Sequence, residues 1–159
     1  MPKLLFDFDK DSFDLDNPEI DAAGIESFNP HRYEFRLIEK VLKVNKETHE
    51  AVAYVPIRED QFWVRGHIPG RPIFPGVLQI EAAAQLSSVI GRYCGLINDD
   101  KFFGLYGFDK IRYRQQVVPG NDLYILGRMT DVSRVSRFEF QSVVNDKVVN
   151  QGEILGTLM

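Results

Sequence analysis

Apolar residues dominate Phe35 to Val44 and Glu50 to Ile57, separated by the polar run from Asn45 to His49. Ala51, Ala53 and Val55 alternate with Val52 and Tyr54, and Asn45 to His49 supply turn residues. That pattern predicts strands over 35–44 and 50–57. From Val77 to Tyr93 apolar residues run almost all the way round a helical wheel, with only Glu81 and Arg92 charged. This predicts a helix buried on most of its circumference, ended by Gly95. Alternation then returns, with strands expected over 102–114, 123–132, 137–144 and 148–158. Phe138, Phe140 and Ser142 share one face, and Arg137, Glu139 and Gln141 the other. Val118 to Asp122 reads as a turn, and Asn145-Asp146 is suited to close a hairpin. About six strands and one long apolar helix predict an α+β domain, a single antiparallel sheet wrapped round the helix.

The chemistry concentrates between Phe62 and Gln85. His67 stands just before a loop stiffened by Pro69, Pro72 and Pro75, and that loop feeds the apolar helix at Pro75-Gly76. Each proline fixes one backbone angle, so the loop has little freedom to lose on folding. Glu81 lies about one turn into the helix among Val, Leu, Ile and Ala. A carboxyl group there is costly unless it is paired, hydrogen-bonded or protonated. An imidazole, a carboxyl group and the free N–H groups of a helix start are the parts of an acid–base site. Taken without a wider motif, His67 also fits a turn histidine satisfied by backbone. Glu81 likewise fits a buried acid paired with Arg71 or Arg92.

Length and composition narrow the class. A chain of 159 residues that is 44% hydrophobic and 26% charged suits one soluble domain. No apolar run is long enough to insert into a membrane, and the N-terminus lacks a signal-peptide core. One cysteine, Cys94, precludes an internal disulfide and fits a reducing cytoplasmic setting. It reads as a small buried residue rather than a nucleophile. The three histidines, His31, His49 and His67, do not stand at metal-ligand spacing, so no metal site is expected. His31 and His49 read as surface or strand-entry residues.

Charge is unevenly spread. Residues 1–30 carry eight acids and two bases, whereas the remainder carries 15 acids and 17 bases. Seven bases lie between Lys101 and Arg137 against three acids. A locally basic surface suits an acidic or phosphate-bearing partner, and equally suits a solvated strand face. Nucleic acid is not expected, since the whole chain has a net charge of −4 and carries no recognised binding motif. Residues 1–29 read as an acidic extension before a domain of residues 30–159. It either drapes over the domain through Leu4, Phe6, Phe8 and Phe13 or is partly mobile.

Residues His67-Ile68-Pro69-Gly70-Arg71-Pro72, Pro75-Gly76-Val77-Leu78, Glu81-Ala82 and Gln85 together resemble the signature of the beta-hydroxyacyl-acyl-carrier-protein dehydratases, the FabZ-type hotdog enzymes. The 14-residue spacing of His67 and Glu81 matches. Pro30-His31-Arg32-Tyr33, Phe108 to Tyr113 and Val117 to Leu123 resemble flanking parts of the same family, so the likeness covers roughly residues 30–158. Ile68 replaces the family's phenylalanine. Glu34, Arg36 and Glu39-Lys40 also depart from its pattern, which points to a divergent member.

The resemblance implies a hotdog fold and a homodimer or trimer of dimers, with the histidine from one subunit and the glutamate from the other. It implies a (3R)-hydroxyacyl substrate on the phosphopantetheine arm of an acyl carrier protein, a trans-2-enoyl product, and no cofactor. His67 would be the base, Glu81 the acid, and the Gly76 N–H the clamp for the thioester carbonyl. Ile68, Phe74 and Val77 would line the substrate site, and Gln85 would be a hydrogen-bonding support for Glu81. The alternatives are a hotdog acyl thioesterase and a non-catalytic acyl-binding subunit; the latter gives no reason for the His67/Glu81 pair.

Overall fold

The computed structural model describes residues 1–159. One six-stranded antiparallel sheet contains β1 (Lys40–Asn45), β2 (Glu50–Pro56), β3 (Phe103–Tyr113), β4 (Asp122–Asp131), β5 (Val135–Val144) and β6 (Lys147–Leu158). Their spatial order is β1-β2-β4-β5-β6-β3. A short helix, α1 (Ala22–Phe28), precedes the sheet, and the long helix α2 (Gly76–Tyr93) lies between β2 and β3 in the chain. The expected sheet and central helix are therefore present, with α1 as an addition.

Helix α2 packs on β2, β4 and β5. It buries Ile80, Ala82, Ala83, Leu86, Val89 and Ile90 in one core with Ala51, Ala53, Leu123, Ile125 and Phe140. The alanines on both partners allow close approach, and the branched residues around them fill the remaining volume. The helix stops at Gly95, whose φ is +69°. Gly95 N–H donates to the Arg92 carbonyl and Leu96 N–H to the Gly91 carbonyl, so the last carbonyls are capped by a left-handed turn. Asn145 and Asp146 both take positive φ, 48° and 61°, which is the backbone of a two-residue hairpin turn between β5 and β6.

The first strand is shorter than its pattern predicts. Tyr33–Phe35 forms a single turn of tight helix, and regular pairing starts at Lys40. The reason is a capture by α2. The Gln85 side chain accepts from Leu37 N–H at 3.0 Å and donates to the Phe35 carbonyl at 2.8 Å. Backbone groups that would enter the sheet are satisfied by the helix instead.

The N-terminal segment drapes over the sheet's outer face. Leu4, Phe6, Phe8, Phe13 and Leu15 cover a second apolar layer that includes Val52, Tyr54, Tyr124, Leu126 and Val143. Polar ties hold it there. Leu5 N–H donates to Gln141 Oε1 at 2.7 Å, Gln141 Nε2 donates to the Lys3 carbonyl at 2.9 Å, and Lys40 Nζ donates to the Leu15 carbonyl at 2.6 Å. Ile20 pairs with Val41 as an isolated bridge, and both Ile20 and Ile25 join the main core. The cover explains why β2 is buried on both faces, unlike most antiparallel strands. No helix is long and apolar enough to cross a membrane.

Candidate active site

The loop before α2 builds a rigid seat for His67. His67 N–H donates to the Trp63 carbonyl at 2.8 Å, and Ile73 N–H donates to the His67 carbonyl at 2.9 Å. Ile68 and Arg71 exchange a reciprocal pair of backbone bonds, and the His67–Ile68 peptide is cis. The His67 ring places Nδ1 2.6 Å from the Ile73 carbonyl oxygen. A carbonyl only accepts, so Nδ1 carries the hydrogen, and in the neutral ring Nε2 has the free lone pair. The ring is exposed, so this lone pair is open to an incoming group.

Helix α2 starts with unsatisfied donors. Pro75 occupies the cap position and supplies no side-chain acceptor, and neither Gly76 N–H nor Val77 N–H has a hydrogen-bond partner. They sit at the positive end of the helix dipole. A Cβ at Gly76 would lie 2.7 Å from the Tyr113 ring, so glycine is required by the close approach of that ring. Burial pushes the Tyr113 phenol above its ordinary range.

Glu81 faces a different space. It lines a cavity of about 310 Å³ bounded by α2, β3, β4, β5 and β6. Along the helix the lining runs from Glu81 to Ser88, roughly 10 Å at 1.5 Å per residue. Phe103, Leu105, Met129, Phe138 and Ile154 make much of it apolar, and Pro30 and His31 lie at its Glu81 end. Glu81 Oε1 accepts from Gln85 Nε2 at 2.9 Å and lies 3.4 Å from His31 Nε2. Neither arginine considered as a partner reaches it: Arg92 donates to the Lys101 carbonyl and Arg71 to Gln116.

Within one chain, therefore, the two residues do not share a cavity: His67 is not among the residues lining the space beside Glu81. Ile68, next to His67 in the chain, and Val77, in the first turn of α2, are both exposed. Phe74 is not open to a substrate in this way; it is buried to 2% exposure and packs on Trp63 with ring centroids 5.3 Å apart. Gln85 has the supporting place expected of it. His31 is the residue that sequence reasoning passed over, and the Pro30-His31-Arg32-Tyr33 match carried the only hint of it. His49 sits in the β1–β2 turn with φ 57°. Cys94 is partly buried, and burial pushes its thiol up, away from the nucleophilic form. No group of three or more histidine, cysteine, aspartate or glutamate side chains is placed to hold a metal ion.

The basic surface is smaller than its residue count suggests. Lys110 and Arg137 both pair with Glu153, and Arg128 lies against Glu50 and Glu139. Lys101, Arg112, Arg114 and Arg134 have no acidic partner within ion-pair distance. The outer edge of β3 has no strand beside it, and Leu105, Tyr106 and Phe108 on it are about half or more exposed.

Comparison with known proteins gives a consistent picture. The FabA-like domain family matches residues 29–153. The chain is 36% identical over 139 residues to the 3-hydroxyacyl-[acyl-carrier-protein] dehydratase FabZ of Xanthomonas euvesicatoria pv. vesicatoria (strain 85-10), covering 86% of this chain and 91% of that one. The FabZ protein of Xanthomonas axonopodis pv. citri (strain 306) matches equally, at 36% identity over the same coverage. Among solved structures, the dehydratase heterocomplex ApeI:P from Xenorhabdus doucetiae aligns with a TM-score of 0.69 at 18% identity, covering 85% of this chain and 90% of that one. A hypothetical thioesterase with coenzyme A from Streptococcus pneumoniae TIGR4 aligns at 0.58 and 11% identity, covering 76% and 84%. At such identities these two structures speak to the fold alone, which is the α+β hotdog.

Proposed function

The chain belongs to the FabA-like family, and we propose that it dehydrates (3R)-3-hydroxyacyl thioesters on acyl carrier protein to trans-2-enoyl thioesters, in fatty acid or related acyl biosynthesis. The observation that carries the reading is the His67 tautomer. With Nδ1 held 2.6 Å from the Ile73 carbonyl oxygen, Nε2 is left unoccupied on the exposed side of a rigid loop, where it can serve as the base.

The steps follow from the groups present. The Gly76 and Val77 N–H groups receive the thioester oxygen, which makes the C2 proton acidic. His67 Nε2 takes that proton, and negative charge moves onto the clamped oxygen. As the charge returns, the C2=C3 double bond forms and the C3–O bond breaks. Glu81 gives its proton to the departing hydroxyl, which leaves as water. The site ends with His67 protonated and Glu81 ionised, and proton exchange through solvent resets both.

The two residues meet between chains in this reading. A second copy beside the open edge of β3 would cover Leu105, Tyr106 and Phe108 and bring its own His67 loop towards the Glu81 cavity. Lys101, Arg112, Arg114 and Arg134, with Arg65 and Arg71, provide the uncompensated positive charge that an acidic carrier protein would meet.

Mass spectrometry of carrier-bound 3-hydroxyacyl chains after incubation with the purified protein tests the reaction. Loss of one water from the intact carrier thioester is expected. Release of free acid with unmodified carrier would identify a thioesterase instead, and unchanged substrate at every chain length would remove the catalytic reading.

A further inference from the structure

The Glu81 carboxyl group has two distinguishable oxygens, and the residues around it assign them different work. Gln85 decides the first part. Leu37 N–H is a donor only, so the Gln85 oxygen must face it, and the Gln85 amide nitrogen must face the Phe35 carbonyl and Glu81. Glu81 Oε1 is therefore obliged to accept at 2.9 Å from Gln85 Nε2.

His31 stands on the same oxygen. Its Nε2 is 3.4 Å from Oε1, and its ring stacks on Phe35 at 6.1 Å between centroids and 18° between planes. Phe35 is itself fixed by Gln85, so ring, backbone and amide form one connected support. The other ring nitrogen, Nδ1, is buried without a partner. An imidazolium would bury a charged N–H with nothing to accept it, which is the costlier arrangement. A neutral ring with hydrogen on Nε2 leaves only a lone pair at Nδ1 and has its single donor 3.4 Å from Oε1. At 3.4 Å the two groups are neighbours without a formed hydrogen bond, and catalytic contacts of this kind often close only when substrate binds.

Resting on the dehydratase reading, we propose that His31 is a positioning residue that acts with Gln85 to hold Glu81 Oε1 as a fixed acceptor, so that the transferable proton resides on Oε2. A carboxyl free to rotate would present its proton in several directions. A carboxyl with one oxygen held by two donors presents it in one. His31 and Glu81 are the only titratable residues lining this cavity, so no other side chain of the same chain competes for the task.

Two measurements test this. The ¹⁵N spectrum of ring-labelled protein reads the tautomer without reference to activity, and His31→Gln identifies the His31 signals among three histidines. Hydrogen on Nε2 with a bare Nδ1 at neutral pH is expected. The opposite tautomer or an imidazolium would overturn the proposal. In kinetics, His31→Phe keeps a flat ring on Phe35 and loses the donor; kcat should fall about 5–20-fold with KM within about twofold, as for one lost hydrogen bond to a reacting group. His31→Gln restores an N–H at the position of Nε2 and should recover to within about threefold of the parent.

Equal impairment of two folded variants would show that shape rather than donation matters, and an unimpaired His31→Phe would show that neither does. Should His31→Phe not fold, the ¹⁵N tautomer and the activity of His31→Gln still decide the question. A parent protein that dehydrates nothing defeats the functional reading, while the tautomer measurement continues to judge His31 on its own.

Discussion

Replacing Gly127 by alanine puts a methyl group into the ring of Phe138. An ideal Cβ at Gly127 would lie 2.1 Å from Phe138 Cζ and 2.8 Å from Cε2. Both residues are buried on adjacent strands, β4 and β5, and Phe138 is only 2% exposed, so the ring can give way only towards the Glu81 cavity that it lines. Overpacking of this kind costs about 1–3 kcal/mol. Alanine also restricts the unfolded chain, which offsets about 0.4–1 kcal/mol. A net loss of about 1.5 kcal/mol corresponds to a fall in Tm of about 3–6 °C for a chain of this size. Urea unfolding measures it, at one protein concentration so that any association of chains is the same for both proteins. Phe138→Leu should be destabilising alone, because it leaves a void. Together the two changes should cost less than their sum by more than about 0.5 kcal/mol, the limit expected for independent sites. Strict additivity, or an alanine variant as stable as the parent, would refute the packing argument. Phe138 also lines the Glu81 cavity, so the alanine variant should lose efficiency towards longer acyl chains before shorter ones.

Glu81→Gln should leave the fold intact and lower turnover about 10²–10⁴-fold in a steady-state assay, the usual worth of a positioned acid. Charge reversal at Arg112 and Arg114 should raise KM for carrier-bound substrate and reduce its salt dependence, leaving a short pantetheine thioester unaffected; an equal response from both substrates would exclude a docking role. Phe8→Asp with Phe13→Asp should lift the N-terminal cover from Tyr54 and Tyr124, seen as increased binding of a hydrophobic dye and a lower urea midpoint. Hydrogen bonds from Lys110 and Arg137 hold Glu153 below its ordinary carboxylate range despite its burial. At acidic pH the unfolded state then binds the extra proton, so this contribution is present above the unfolded value and is lost as pH falls through the folded one. Glu153→Gln should flatten that acid-side decline in a pH series of urea midpoints.

The elements legible from the chain were those whose evidence is local. The apolar circumference of α2, the alternation in β2 and β5, and the Asn145-Asp146 turn each express a preference that the fold obeys. Phe35 to Glu39 reads as strand because Phe35, Leu37 and Ile38 lead directly into the apolar Val41, Leu42 and Val44. It does not join the ladder because Gln85, some 50 residues away, takes its backbone bonds. The same long-range contact hid His31, whose neighbour Glu81 is remote in sequence. The acidic extension was ambiguous for a related reason. Its scattered Leu and Phe residues have no period of their own and match the spacing of a sheet surface contributed by five strands.

A working site that joins His67 of one chain to Glu81 of another is tested directly by mixed subunits. His67→Ala and Glu81→Gln subunits, each inactive alone, are refolded together, and mixed dimers are verified by mass. Each mixed pair contains one site with both residues intact and one with neither. Random pairing makes half of the dimers mixed, so roughly a quarter of the parental activity should return. If both residues served a site within one chain, every site would still lack one of them, and mixtures proven to contain mixed dimers would stay inactive.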